Sequence, residues 1–72
     1  MTEEIFSFTI YMIHELSRAW GMLPSKVYEV LKQTRCIDDY FINHYDVLHT
    51  LGTEYLEEDI REYVKKRGVK IW

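Results

Sequence analysis

The sequence is poor in residues that cross-link or interrupt a chain, with one cysteine, one proline and three glycines in 72 residues. Cys36 has no second cysteine in the sequence with which to form a disulfide. A lone thiol is typical of a reducing compartment. The fold must therefore be held by packing, without a covalent link inside the chain.

Long apolar runs are also missing. The longest apolar-leaning stretch, residues 5–13, is far shorter than the roughly 20 residues that a membrane-spanning helix needs. Glu3 and Glu4 occupy the positions where a secretory signal carries positive charge. We therefore expect no membrane association and a cytoplasmic location.

Positive charge is scarce in the middle of the chain. The net charge is −3, and residues 36–60 contain no lysine or arginine. If residues 24–32 and 38–49 formed a helix-turn-helix, its second helix would bring Asp38, Asp39 and Asp46 to the phosphates. Phosphate contacts supply most of the affinity of DNA-binding proteins, so nucleic-acid binding is disfavoured. The basic cluster of residues 61–70 is better explained as a solvated helix end that complements the helix dipole.

The motifs of common enzymes and metal sites are absent. The sequence has no glycine-rich phosphate loop, no nucleophile elbow and no HExxH pair. His44 and His49 are five residues apart, which is not the spacing of two ligands on one helix face. A lone cysteine such as Cys36 is more often a small buried hydrophobe than a nucleophile. We expect no catalytic activity, no cofactor and no metal.

What the sequence does contain is apolar and aromatic material. Residues of apolar type make up 47% and aromatic residues 15% of the chain, a composition typical of a folded protein. The length fits a single domain over residues 1–72. In a chain this small, hydrophobic gain and conformational entropy nearly cancel, so burial against a partner or another copy would help.

Hydrophobic periodicity predicts an all-α fold, a compact bundle of four short helices. The predicted helices cover residues 3–20, 24–32, 38–49 and 53 or 54–67, and residues 69–72 form a short strand or a tail. Residues 5–13 also alternate as a strand does, but helical periodicity continues unbroken from His14 to Trp20. Apolar side chains off the main stripe, such as Ile10 and Tyr11, predict a helix that is either central in the domain or shared with a partner.

Four residues define the predicted helix boundaries. Thr2 is a good N-cap for the first helix, and Gly21 suits the left-handed residue after its end. Pro24 fits the first position of the second helix, which tolerates a missing N–H. Asp38 is predicted to cap the third. For the second helix, the apolar face is predicted to comprise Val27, Tyr28 and Leu31, with Val30 beside it.

The chain resembles an uncharacterised family of short bacterial proteins that carry a domain of unknown function. The resemblance covers about residues 8–64 and rests on Ala-Trp-Gly-Met at 19–22 and Pro-Ser at 24–25, and most clearly on Tyr-Asp-Val-Leu-His-Thr-Leu-Gly at 45–52. By gene position, members of the family look like neighbours of proteins with an ADP-ribosyltransferase-like domain. The resemblance therefore implies an accessory or antitoxin-like partner of another bacterial protein.

The function favoured by these observations is that of a non-catalytic protein-interaction module, whose partner is another protein. Tyrosine and tryptophan are favoured at the energetic centres of interfaces. The predicted contact residues are those that flank the most distinctive stretch: Tyr45, Asp46, His49 and Tyr55. The alternatives are a self-associating structural protein, in which the partner is a homo-oligomer, and a weak nucleic-acid-binding helical domain.

Overall fold

The computed structural model describes residues 1–70 as a bundle of four helical stretches. They are α1 (Glu3–Trp20), α2 (Pro24–Gln33), a π-helical segment (Ile37–Ile42) that continues into α3 (Asn43–Leu48), and α4 (Thr53–Lys66). The described residues contain no strand, so the all-α prediction is confirmed. Of the predicted C-terminal strand or tail, Val69 and Lys70 are in neither helix nor strand, and residues 71–72 lie outside the described part.

Helix α1 begins and ends where its flanking residues indicate. The backbone N–H of Ile5 donates to the Thr2 hydroxyl over 3.2 Å, which satisfies one of the free donors of the first turn. Gly21 has a φ of 65°, a left-handed conformation that costs glycine little. Residues 5–13 are helical throughout, so the competing strand pattern is not used.

Helix α2 starts with Pro24 at its first turn, as predicted. It ends at Gln33, and Arg35 then adopts a φ of 60°, a conformation that only a minority of non-glycine residues take. This left-handed residue lies between α2 and the third helical stretch. Residues 34–36 therefore form a short connection between these two elements.

The predicted cap at Asp38 is wrong. The π-helical segment begins at Ile37, Cys36 before it already has helical φ and ψ, and no side chain caps it. The left-handed Arg35 comes just before Cys36, and helical backbone is established from Cys36 onward, ahead of Asp38, which lies in the first turn. The tyrosine and phenylalanine at 40 and 41 are both buried on this wider stretch, although they are adjacent in sequence.

Helix α1 is central, since α2, the π-helical segment and α4 all pack against it. One face of α1 supplies Met12 and Leu16, which are fully buried. Helix α4 supplies a matching apolar stripe. The residues that complete the core are Ile13, Trp20, Val27, Leu31, Cys36, Tyr40, Phe41, Leu48, Leu56, Ile60 and Val64.

Several large apolar side chains stay outside this core. Phe6, Ile10 and Tyr11 of α1 are exposed although α1 is the central helix. Tyr28 was predicted on the apolar face of α2, but it is 46% exposed. The reason is that Val27 and Leu31 already fill the contact with α1, and Tyr28 lies beside that contact. These side chains define the surfaces available for binding.

Candidate functional site

Two of the four predicted contact residues lie against each other on the third helical stretch. Tyr45 and His49 are one helical turn apart, and their rings stack with centroids 4.6 Å apart and planes 14° from parallel. The Nδ1 atom of His49 lies 2.7 Å from the carbonyl oxygen of Tyr45. The stack and this contact together fix the orientation of the imidazole.

Helix α1 contributes two more rings to the same region. The Phe8 ring makes edge-to-face contacts with Tyr45, at 5.5 Å between centroids, and with the buried Phe41, at 5.7 Å. Tyr11 is exposed, but its hydroxyl forms a 2.8 Å hydrogen bond with the hydroxyl of Thr53 at the start of α4. The rings therefore connect the surface with the core and α1 with α4.

We call this surface the aromatic face and define it by Phe8, Tyr11, Tyr45 and His49. A shallow depression on it is lined by Phe8, Tyr11 and Tyr45 together with acidic side chains from the first turn of α1, Glu3 and Glu4. Asp46, the third predicted contact residue, is exposed next to Tyr45 in the chain. Within residues 1–70 no ion pair involves these carboxylates. The aromatic face thus carries uncompensated negative charge.

Tyr55, the fourth predicted contact residue, belongs to a different surface. It is 59% exposed on α4 and lines a small depression with Glu58, Asp59 and Glu62. None of the other three predicted residues lines that depression. The structure therefore brings Tyr45 and His49 together and places Tyr55 among the acids of α4.

A second candidate surface, which the sequence analysis did not identify as a site, is a groove between α1 and α2. Its volume is about 350 Å³, and its walls include Phe6 and Ile10 of α1 and Tyr28 of α2. Lys32 and Asp38 lie at its rim. We call it the α1/α2 groove. The available signal was that Phe6 and Ile10 fall off the buried stripe of α1.

Several polar groups inside the bundle have structural partners, whereas the buried hydroxyl of Tyr63 has no hydrogen-bond partner within residues 1–70. The hydroxyl of Tyr40 donates to the Asp59 carboxylate, and burial together with this bond raises the pKa of Tyr40 far above its usual value. Glu57 accepts hydrogen bonds from Arg61 at 2.5 Å and from the Trp20 indole at 2.6 Å. The bonds from Arg61 are the main reason why the pKa of Glu57 is lowered. These bonds tie α4 to the π-helical segment and to α1.

Cys36 lies in the core, as expected for a lone cysteine that packs as a small hydrophobe. Its side chain is fully buried, and burial raises the pKa of its thiol to about 12. A thiol with so high a pKa is protonated at neutral pH and is a poor nucleophile.

Residues 1–70 contain neither a cluster of metal ligands nor a membrane-spanning helix. No three His, Cys, Asp or Glu side chains in that range are grouped so that they could hold a metal ion. None of the helices described combines the length and the apolar character that crossing a bilayer requires.

The chain is similar to a known protein family over most of its length. A family model described as "Protein of unknown function (DUF3791)" matches residues 7–67, which include all four helical stretches except the first residues of α1. No curated protein and no solved structure matches the chain. The predicted resemblance to an uncharacterised family is thereby confirmed, and the prominence of residues 45–52 within it stays a prediction.

Proposed function

The chain belongs to the DUF3791 family of proteins of unknown function, and from that premise we propose that it is a non-catalytic protein-interaction module. In this proposal it acts in the cytoplasm as an accessory or antitoxin-like partner of another bacterial protein. It contacts its partner through the aromatic face with Asp46 and, on a second surface, through Tyr55 of α4.

The observation that carries the proposal is the concentration of rings at one surface. Tyr45, His49 and Tyr11 are half-buried or exposed, and each is held in place by a stack or a hydrogen bond. Aromatic side chains in fixed orientations lose little entropy when they bind, and they are enriched at protein interfaces. A preorganised set of rings is therefore well suited to receive a partner.

The charge on this surface points to the chemistry of the partner. Glu3 and Glu4 line the depression beside Tyr11 and Tyr45, and Asp46 follows Tyr45 in the chain. Lysine and arginine side chains are attracted both by carboxylates and by the faces of aromatic rings. We expect the partner to present basic residues to the aromatic face.

The state of Cys36 supports a non-catalytic role. A nucleophilic cysteine requires a lowered pKa and access to substrate, whereas burial raises the pKa of Cys36 to about 12. If the Cys36 thiol reacted abnormally fast at neutral pH, this part of the proposal would be wrong.

The test is to capture the tagged chain from an extract of its native cells, at low and at high salt, and to identify the molecules that stay bound to it. We expect a partner protein in a stoichiometric ratio to the chain, and we expect it to stay bound at high salt. Alanine at Tyr45, Asp46, His49 and Tyr55 together should release it, provided that circular dichroism shows the variant to be folded. The matched control is Tyr28→Ala, which removes a comparably exposed tyrosine from α2 and should leave the partner bound.

Three outcomes would contradict the proposal. The alanine variant could keep every interaction while its fold is intact, which would exclude these residues as contacts. Nucleic acid retained only at low salt would instead support the nucleic-acid-binding alternative. If the tagged chain is recovered without any partner at both salt concentrations, self-association is the remaining function.

A further inference from the structure

We propose that a second copy of this chain docks on the α1/α2 groove, so that two chains form a symmetric dimer through α1 and α2. The groove and the aromatic face are lined by different residues. The inference therefore does not depend on the proposed function, and either can fail without the other.

The first argument is that the side chains of the groove have little to do within a single chain. Phe6 is 57% exposed and Ile10 is 41% exposed, and neither side chain makes a hydrogen bond, ion pair or ring contact within residues 1–70. Within residues 1–70, the Tyr28 ring makes no aromatic pair and no hydrogen bond, and its cation–π neighbour is the Lys32 ammonium, 6.0 Å from the ring centroid. The exposed parts of these side chains can therefore be buried against a second copy without breaking a hydrogen bond, ion pair or aromatic pair of the bundle.

The second argument is area. At roughly 200 Å² for a whole aromatic side chain, Phe6 and Tyr28 each leave about 100 Å² in water, and Ile10 and Met1 add to this apolar patch. A standard interface takes about 800 Å² from each partner, of which somewhat more than half is apolar. The patch and its polar rim therefore approach what one side of a stable dimer contributes.

The third argument is the charge of the rim, which chooses between occupants. Lys32 and Asp38 are both exposed at the groove, and neither has an ion-pair partner in the described part of the chain. Arg35, between them in sequence, is already paired with Asp39 at 3.3 Å. Among the side chains that line the groove, Lys32 and Asp38 are thus one unpaired charge of each sign.

A rim with one charge of each sign complements itself. In a two-fold symmetric interface, residue i of one chain meets residue j of the other, and the same contact occurs a second time. Lys32 of each chain can then meet Asp38 of the other, which forms two ion pairs around the buried rings. A rim of a single sign would repel a second copy and would favour a partner of opposite charge.

The test measures the mass of the full chain in solution across a concentration range, by sedimentation equilibrium. Because dimerisation follows mass action, we expect the mean mass to rise from one chain towards two between about 1 µM and about 1 mM. Phe6→Glu places a charge in the buried centre and should keep the protein at the mass of one chain throughout. Circular dichroism verifies that this variant is folded.

A charge exchange tests the rim without disturbing the apolar centre. Lys32→Glu and Asp38→Lys each replace two attractions by two repulsions, so each should weaken dimerisation about tenfold. The double variant restores opposite charges and should return to within about threefold of the original affinity. The matched control is Lys26→Glu, the same change on α2 at a lysine that does not line the groove, and it should leave the affinity unchanged.

Specific results would overturn the inference. The mass of a single chain at about 1 mM would exclude the dimer in the range tested. A dimer that resists Phe6→Glu, or a double variant that is weaker than both single variants, would place the contact elsewhere. If the chain is monomeric but Phe6→Glu releases a protein captured from extract, the groove holds that protein and not a second copy. Because the alanine set of the proposed function leaves the groove intact, each experiment fails separately.

Discussion

The aromatic face and the α1/α2 groove both use helix α1, yet their rings differ in what they do for the fold. Phe8 of the aromatic face joins Tyr45 to the buried Phe41, and Tyr45 stacks on His49. Phe6, only two residues from Phe8, lines the groove and makes no ring contact within residues 1–70. One set of rings is part of the bundle, and the other lies on top of it.

Exposure alone does not reveal this difference. Tyr11 of the aromatic face is 50% exposed, which is close to the value for Tyr28 of the groove. The Tyr11 hydroxyl is nevertheless bonded to Thr53, whereas Tyr28 has only a lysine above its ring. Substitution of a ring that has partners inside the chain should lower stability, and substitution of a ring without such partners should affect only association. Matched substitutions on the two surfaces test this distinction.

The largest difference is expected between the two phenylalanines of α1. Phe8→Ala removes a half-buried ring that packs on Phe41 and Tyr45, and it should lower the free energy of unfolding by about 2–3 kcal/mol. Phe6→Ala should change it by less than about 0.5 kcal/mol, as surface substitutions usually do. The measurement is urea unfolding at a protein concentration low enough to keep the chain monomeric. Equal losses would show that Phe6 also supports the bundle.

A smaller difference is expected between Tyr45 and Tyr28. Tyr45→Ala loses the stack on His49 and the edge contact with Phe8, which should cost about 1–2 kcal/mol. Tyr28→Ala should cost less than about 0.5 kcal/mol in the monomer. Adding His49→Ala to Tyr45→Ala should cost less than the sum of the two, since the stack is already lost. Strict additivity in urea unfolding would mean that the stack contributes nothing to stability.

The element order was predictable because local signals and the hydrophobic stripe agreed. Thr2, Gly21 and Pro24 mark helix ends through effects that depend on a few neighbouring residues, and the structure uses all three. The Asp38 cap failed because its position depends on Arg35, which turns the chain with a positive φ that arginine seldom adopts. The hydrophobic periodicity of an α-helix does not predict the π-helical geometry of Ile37–Ile42.

The candidate surfaces were only partly predictable, because a surface combines residues from several helices. Tyr45 and His49 are one turn apart, so their proximity follows from helix geometry. The rings of Phe8 and Tyr11 join them only through the packing of α1 against the π-helical segment and α4, which periodicity does not give. The same holds for the α1/α2 groove. The spacing of Tyr28 predicted that it lies on the apolar face of α2, but its side chain is exposed when α2 packs against α1.

The smallest effect is also the most specific, because it concerns one hydroxyl group. Tyr11→Phe keeps the ring and removes the bond to the Thr53 hydroxyl, which should lower the free energy of unfolding by about 0.5 kcal/mol. The effect is small because the bond is exposed and water can replace it.

Tyr28→Phe is the matched control and should change nothing, since no hydrogen bond to the Tyr28 hydroxyl exists within residues 1–70. Thr53→Ala and Tyr11→Phe should be non-additive in urea unfolding, because either change alone breaks the same bond. If Tyr11→Phe and Tyr28→Phe were equally neutral, the aromatic face would be held by its ring contacts alone, and its link from α1 to α4 would contribute nothing to stability.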